Sequence, residues 1–287
     1  MNLLSPKSEV STTAGSTPDI LPGYGQFGNP SFGGIDRPQR FGSSPYSQLD
    51  PGETLLRIDL PLLTVSASSA NEAWGPGQEF PVILGNNAAG FPHLFAGTSG
   101  PVNILIAKIH ARVIWGELFQ SDFSPVTGSQ DYISAGEPGT RRFATGMVAV
   151  AEPRGITGLE IGGARFFHFI WPISGIPPSY FTEVFQGFLK KNIAPDRVPD
   201  PRFPAGTDQV GISSNELVSV FARWVLPHSG FELHGEYGRE DHALDLRDLT
   251  QEPDHSRVYS LGARKVFSLD GDAMTAGRVE VMNFQLP

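Results

Sequence analysis

The chain has 287 residues, 39% of them hydrophobic, so it can bury a sizeable core as one all-β domain or two smaller ones. Its formal net charge of −9 and pI near 5.2 argue against a nucleic-acid partner, which requires a basic stripe. The absence of cysteine excludes disulfides, thiolate metal sites and thiol redox chemistry, while 33 glycines and 25 prolines point to many short strands joined by turns.

The first ten residues, Met1 to Val10, carry no apolar h-region, and no run of about 18 apolar residues could span a bilayer as a helix. Residues 1–53 are rich in Ser, Gly, Pro and isolated aromatics and show neither strand nor helix periodicity, so they read as an extended arm or long loop. Residues 54–287 read as the structured part.

From Thr54 onward, segments alternate with period two. In Asn103 to Trp115 the set Leu105, Ala107, Ile109, Ala111, Val113, Trp115 is apolar, and the opposite set carries Lys108, His110 and Arg112. Val218 to Val225 and Phe231 to Arg239 divide similarly. Leu55 to Leu60, Leu62 to Ser69, Phe143 to Val150, Gly158 to His168, Arg257 to Phe267 and Arg278 to Gln285 complete nine expected strands. Several exceed ten residues, the length that a tilted strand needs to cross a bilayer. Lys108, His110, Arg112, Arg223, Glu232, His234, Glu236 and Arg264 are then expected on one polar face. That face is either an aqueous lumen or the solvated side of a soluble sheet.

Connections fall into short turns and long loops, as at the two rims of an outer-membrane barrel. Strict alternation of rims fails between residues 70 and 141 unless a tenth strand is placed at Phe80 to Leu84. The fold class expected is therefore all-β: an antiparallel up-and-down transmembrane barrel of about ten strands, with a helix at Pro177 to Lys191 packed on the barrel mouth.

The densest polar cluster, Glu236 to Asp248 with Glu252, Asp254 and His255, offers paired carboxylates or His242, Asp245 and His255 as metal ligands. Without fixed ligand spacing it reads as a solvated loop with Arg–carboxylate pairs. Asp241-His242 lacks a Gly-x-Ser-x-Gly elbow, and Gly158 to Ala164 is a strand pattern with no helix after it, so neither a hydrolase triad nor a dinucleotide loop is expected. No enzyme activity, metal or cofactor is expected. Trp74, Trp115, Tyr132, Trp171 and Tyr180 fall at strand ends or in long loops, where aromatics form interface girdles, stack on sugars or pack.

One segment is the most distinctive: Trp74-Gly75-Pro76-Gly77, followed by Leu84-Gly85-Asn86-Asn87-Ala88. It resembles the Trp-Gly-Pro-Gly … Leu-x-x-Asn-Asn-Ala motif of the capsule assembly Wzi family. The likeness extends through Gly90 to Ser99, Gly163 to His168, Phe221 to Trp224 and Gly235 to His242, about residues 50–285. It implies a bacterial outer-membrane barrel, in contact with outer-membrane lipid, that binds capsular or other surface polysaccharide without catalysis. The residues expected to contact polysaccharide are Trp74, Asn86, Asn87, Arg141, Arg142, Arg239 and His242. Family barrels have more strands, and this chain begins without a signal and ends within a strand, so an incomplete barrel is expected. The alternatives are an outer-membrane channel with a charged lumen and a secreted β-sandwich glycan hydrolase.

Overall fold

The computed structural model describes residues 2–4, 46–48, 52–86, 90–119, 141–171, 175–185, 214–240, 257–268 and 274–284. The chain divides into two compact units, 1–52 with 119–141, and 53–118 with 142–287. In the first, β1 (Asn2–Leu4) pairs antiparallel with β2 (Tyr46–Gln48).

The second unit holds all but the end residues Phe119 and Arg141 of an 11-stranded, mostly antiparallel sheet. Its strands are β3 (Leu55–Asp59), β4 (Leu63–Ser68), β5 (His93–Thr98), β6 (Val102–Asn103), β7 (Ala107–Phe119), β8 (Arg141–Pro153), β9 (Leu159–Ile170), β10 (Ser214–Leu226), β11 (Phe231–Glu240), β12 (Arg257–Ser268) and β13 (Met274–Phe284). They pair in the order of the chain from β3 to β13, with the two-residue β6 pairing off this path to β7. The sheet is open, and β3 and β13 are its end strands.

All-β architecture thus agrees with the periodicity, and nine of the expected strands are present. The tenth is not where it was expected. Residues Phe80 to Leu84 are a bend rather than a strand, because Pro81 removes a ladder donor and the segment turns inward onto the sheet. The strand that restores alternation is His93–Thr98, paired to β4 and β7. The short connections 60–62, 99–106, 154–158, 227–230 and 269–273 then leave strand ends on one rim, and the long ones leave from the other.

Registers fix which residues share a face. Through Phe221↔Glu236, Glu236↔Ser260 and Ser260↔Met282, and through Arg223↔His234, His234↔Gly262 and Gly262↔Glu280, the polar sets of β10 to β13 align. Arg112 opposes Gly97, and Phe95 opposes Ser66, which extends this face to β4. Lys108 pairs with Glu152 at 3.5 Å and Arg223 with Glu160 at 3.1 Å, which joins β7 to β8 and β9 to β10 on the same side.

The other face is apolar: Leu56 (70% exposed), Leu94 (58%), Val220 (59%), Leu261 (62%) and Val281 (61%) project from it, with Ile58, Leu63, Val65, Ile161, Leu233 and Val279. The usual arrangement of a half-solvated sheet, apolar side covered and polar side wet, is inverted here.

At the long-connection end of β8 and β9 both faces are covered. On the apolar side, α1 (Pro178–Thr182) and the 3₁₀ turn Glu183–Phe185 lie on Phe143, Phe167 and Phe169, with Tyr180 stacked on Phe169 at 4.1 Å between centroids. The helix therefore sits on the outward sheet face rather than at the mouth, because its ring-bearing side matches the aromatic side of β8 and β9. Residues 186–191 of the expected helix lie outside the described residues. Beneath it, Arg165 is buried with Glu216, its Nε donating to Oε1 at 2.6 Å and its Nη1 to the Val184 carbonyl at 3.3 Å.

Candidate functional site

The polar face is occupied by residues 69–86 and 90–92 of the connection from β4 to β5. Its start is held by Glu72, whose carboxylate accepts Arg112 Nη1 at 2.8 and 2.9 Å and Trp74 Nε1 at 3.0 Å, with His93 Nε2 at 3.3 Å. His93 Nδ1 also faces an acceptor, the Phe91 carbonyl at 2.8 Å. Burial pushes the Glu72 carboxyl up, but the His93 bond, the Arg112 charge and the Trp74 N–H outweigh it and hold it below its ordinary value.

Trp74 is 3% exposed, edge-on to Phe166 with centroids 6.2 Å apart. It fits because β8 has Gly146 opposite: a Cβ there would come within 2.7 Å of Trp74 Cη2. Ile83, Leu84 and Phe91 pack into the same cluster, with Ile114, Ala144, Ala164 and Phe221. The Trp74 backbone N–H donates to the Leu84 carbonyl at 3.2 Å, which closes residues 75–83 into a loop, a strap across the sheet.

The strap turns at Gly75, whose φ of 82° suits glycine, and whose Cα lies against the Glu236 carboxylate with no room for a side chain. Its tip then reaches β13. Glu280 accepts the backbone N–H groups of Gln78 at 3.2 Å, Glu79 at 3.5 Å and Phe80 at 3.0 Å, and Arg278 pairs with the Gln78 and Glu79 side chains. His234 Nε2 lies 3.7 Å from Glu280 Oε2, reaching across β12 where Gly262 leaves space for its ring.

These anchors define the curvature. Six inter-strand spacings separate β7 from β13, about 29 Å if the sheet were flat at about 4.8 Å each. Residues 72 to 78, which bridge them, span at most about 21 Å of chain. Within that short reach the strap meets β7 at Arg112, β8 at Gly146, β9 at Phe166, β11 at Glu236 and β13 at Glu280 in turn, as a segment does on the concave side of a curled sheet.

The two ends of the strap are held by different physics. Burial of a Trp removes about 150–250 Å² from water, about 4–6 kcal/mol at 25 cal/mol per Å². The Glu280 bonds join backbone N–H groups of an exposed tip to a carboxylate whose side chain is 2% exposed, and such charged hydrogen bonds are worth about 1.5–3 kcal/mol each. Packing fixes the base of the strap; hydrogen bonds alone position its tip.

Among the described residues, the expected polysaccharide-contact residues Trp74, Asn86, Arg141, Arg142 and Arg239 do not form one cluster. Trp74 is buried, so its ring is spent on packing. Asn86 is exposed at the end of the strap, Arg141 is exposed at the start of β8, and Arg142 Nη1 lies 2.7 Å from His168 Nδ1. Arg239 is buried on the outward face, opposite Arg257. Asn87, His242, Tyr132, Asp245, Asp248 and His255 lie outside the described residues.

Of the polar set, Arg112 and Glu236 face the strap, while Lys108, Arg223 and Glu232 form ion pairs along the wall; Arg264 shares that wall by register with Glu232, and His110 sits near the short-turn end, 2.6 Å from Thr98 Oγ1. Sequence reasoning missed Glu72, His93 and Glu280 as the strap's anchors, and the Arg165–Glu216 pair. Glu72 two residues before the Trp-Gly-Pro-Gly string was the available signal. Among the described residues no group of three or more His, Asp or Glu is placed to hold a metal ion. No family model, curated protein or solved structure matches this chain.

Proposed function

We propose that the chain forms part of the wall of an outer-membrane β-barrel with a closed lumen, and that it acts without catalysis as an attachment point for capsular polysaccharide. The observation that carries the membrane reading is the inverted sheet, with its ionic wall on the concave side and large aliphatic side chains facing out. Those side chains expose on the order of 1,000 Å², against a few hundred for the apolar patch of a typical soluble monomer.

The outward face also has a rim. Trp224, Phe231 and Phe267 cluster at the short-turn end, with Lys265 Nζ 4.9 Å from the Phe231 ring and bonded to the Ser229 carbonyl. Aromatics with a snorkelling lysine suit a membrane–water interface. From Phe267 to Tyr259 is eight residues, about 26 Å along the strand, or about 20 Å of band height at a tilt of about 40°.

The polysaccharide reading is supported by the resemblance of Trp74 to Ala88, Gly163 to His168 and Gly235 to His242 to the capsule assembly family. The strap, filling the concave side with Trp74, Ile83, Leu84 and Phe91, favours a closed barrel over the channel alternative. The test has two arms. The protein should stay in the outer-membrane fraction after carbonate extraction, and cells lacking it should shed capsule into the medium until it is restored. Extraction into the soluble fraction overturns the first part; unchanged capsule retention overturns the second.

A further inference from the structure

We propose that residues 75–80 are a lid, hinged at Gly75 and latched by Glu280, over a floor formed by His234, Glu236 and Ser260. The argument rests on what lies under each part of the strap. Under its base lie Phe166, Phe221 and Ile114, so lifting the base would wet apolar surface. At the hinge the Glu236 carboxylate lies against Gly75, at the latch the His234 imidazole lies 3.7 Å from Glu280, and Ser260 is beside Glu236 in register on the same face; all three are at least nine-tenths buried.

The His234 ring nitrogens and the Ser260 hydroxyl are buried without a hydrogen bond in the closed arrangement, and the buried Glu236 carboxylate has only the Ser219 hydroxyl beside it. Burying such groups is costly, and opening the lid returns them to water, so the floor itself favours opening. What opposes opening is the Glu280 carboxylate and its three backbone N–H donors, with Arg278 on the Gln78 and Glu79 side chains. The tip adds little packing of its own, since Gln78, Glu79 and Phe80 are exposed.

The hinge is built in. Gly75 has a positive φ, and Gly77 sits so close to the Phe80 carbonyl that a Cβ would approach it to 2.7 Å. The Trp74 backbone N–H to Leu84 carbonyl bond closes the loop below the hinge, so residues 75–80 can swing while the base stays in place. The lid controls access of solutes to the polar wall of the concave side. This goes beyond the membrane reading and holds whether or not the outward face meets lipid.

The chain has no cysteine, so one introduced thiol reports access without background. In the full chain in detergent micelles, Ser260→Cys should react with a charged maleimide about a hundredfold more slowly than Ser229→Cys on an exposed turn, as for a site opened by local fluctuation. Adding Glu280→Ala should raise the Ser260→Cys rate about tenfold or more, and Gly77→Ala, whose Cβ would press on the Phe80 carbonyl at 2.7 Å and meet the Glu280 carboxylate at 3.4 Å, should raise it similarly. Asp59→Asn, on the far strand β3, should leave it unchanged. Equal rates for Ser260→Cys and Ser229→Cys would show that nothing covers the floor. A Ser260→Cys rate unmoved by either Glu280→Ala or Gly77→Ala, in protein with an unchanged far-ultraviolet spectrum, would overturn the latch.

Discussion

The two carboxylate oxygens of Glu72 lie 2.8 and 2.9 Å from Arg112 Nη1, tying the entry of the strap to the concave face of β7. Glu72 also accepts from Trp74, so one side chain orients both the wall and the indole. Glu72→Ala would leave Arg112 facing a half-buried site with no counter-charge and strip the Trp74 N–H of its acceptor. A fully buried pair broken on one side costs about 3–5 kcal/mol, and partial exposure of Arg112 reduces this to about 2–3 kcal/mol. Urea unfolding of the micelle-bound protein measures it; a loss below about 0.5 kcal/mol would show that packing alone holds the strap.

The same carboxylate gives a pH dependence with a definite sign. Its folded pKa lies below the ordinary glutamate value of 4.5, so its contribution to stability is fully present above that value and is lost as pH falls through the folded one. Wild type should therefore lose more stability than Glu72→Gln between pH 6 and pH 3. Parallel stability curves for the two proteins would contradict this.

Most strands were legible because their two faces differ sharply in polarity, as in β7, where Lys108 and Arg112 oppose Ile109 and Val113. Strand β5 was not, because His93, Phe95 and Gly97 on one side and Leu94, Ala96 and Thr98 on the other show little contrast. Its concave face meets the strap instead of water, so Phe95 belongs there. The same cause misplaced Phe80 to Leu84. Its apolar run serves packing within the concavity, and a short apolar run does not distinguish a strand from an inward fold of chain. Trp74 beside a turn reads equally well as a sugar platform or a core ring, and only its burial decides between them.

Packing of Trp74 across β8 is separable from its hydrogen bond. A Cβ at position 146 would approach Trp74 Cη2 to 2.7 Å and Phe166 Cδ2 to 2.8 Å. Gly146→Val should cost about 1–3 kcal/mol by overpacking, and Trp74→Ala about 3–5 kcal/mol by truncation. With the indole gone, the valine loses its main obstacle, so Gly146→Val should cost less in the Trp74→Ala background than in wild type. Denaturant midpoints of the four proteins close the cycle. Strict additivity would mean that Trp74 and β8 do not share this space.

The inverted sheet is tested most directly at Val220, on the outward face of β10 between Ile161-bearing β9 and Leu233-bearing β11. It is well exposed, and its register neighbours Gly163 and Tyr237 leave the space above it open. If this face met water, Val220→Arg would be nearly neutral, within about 0.5 kcal/mol, as for most surface substitutions. If it meets hydrocarbon near the middle of the bilayer, the guanidinium must be desolvated or must deform the lipid, at about 2–4 kcal/mol. Unfolding from lipid vesicles distinguishes these, and the expected result is the larger loss. Ala263→Arg, on the same face of β12 and halfway between Tyr259 and Phe267, should cost about as much. A neutral Val220→Arg would return the face to water and leave its aliphatic side chains as a protein-binding surface instead.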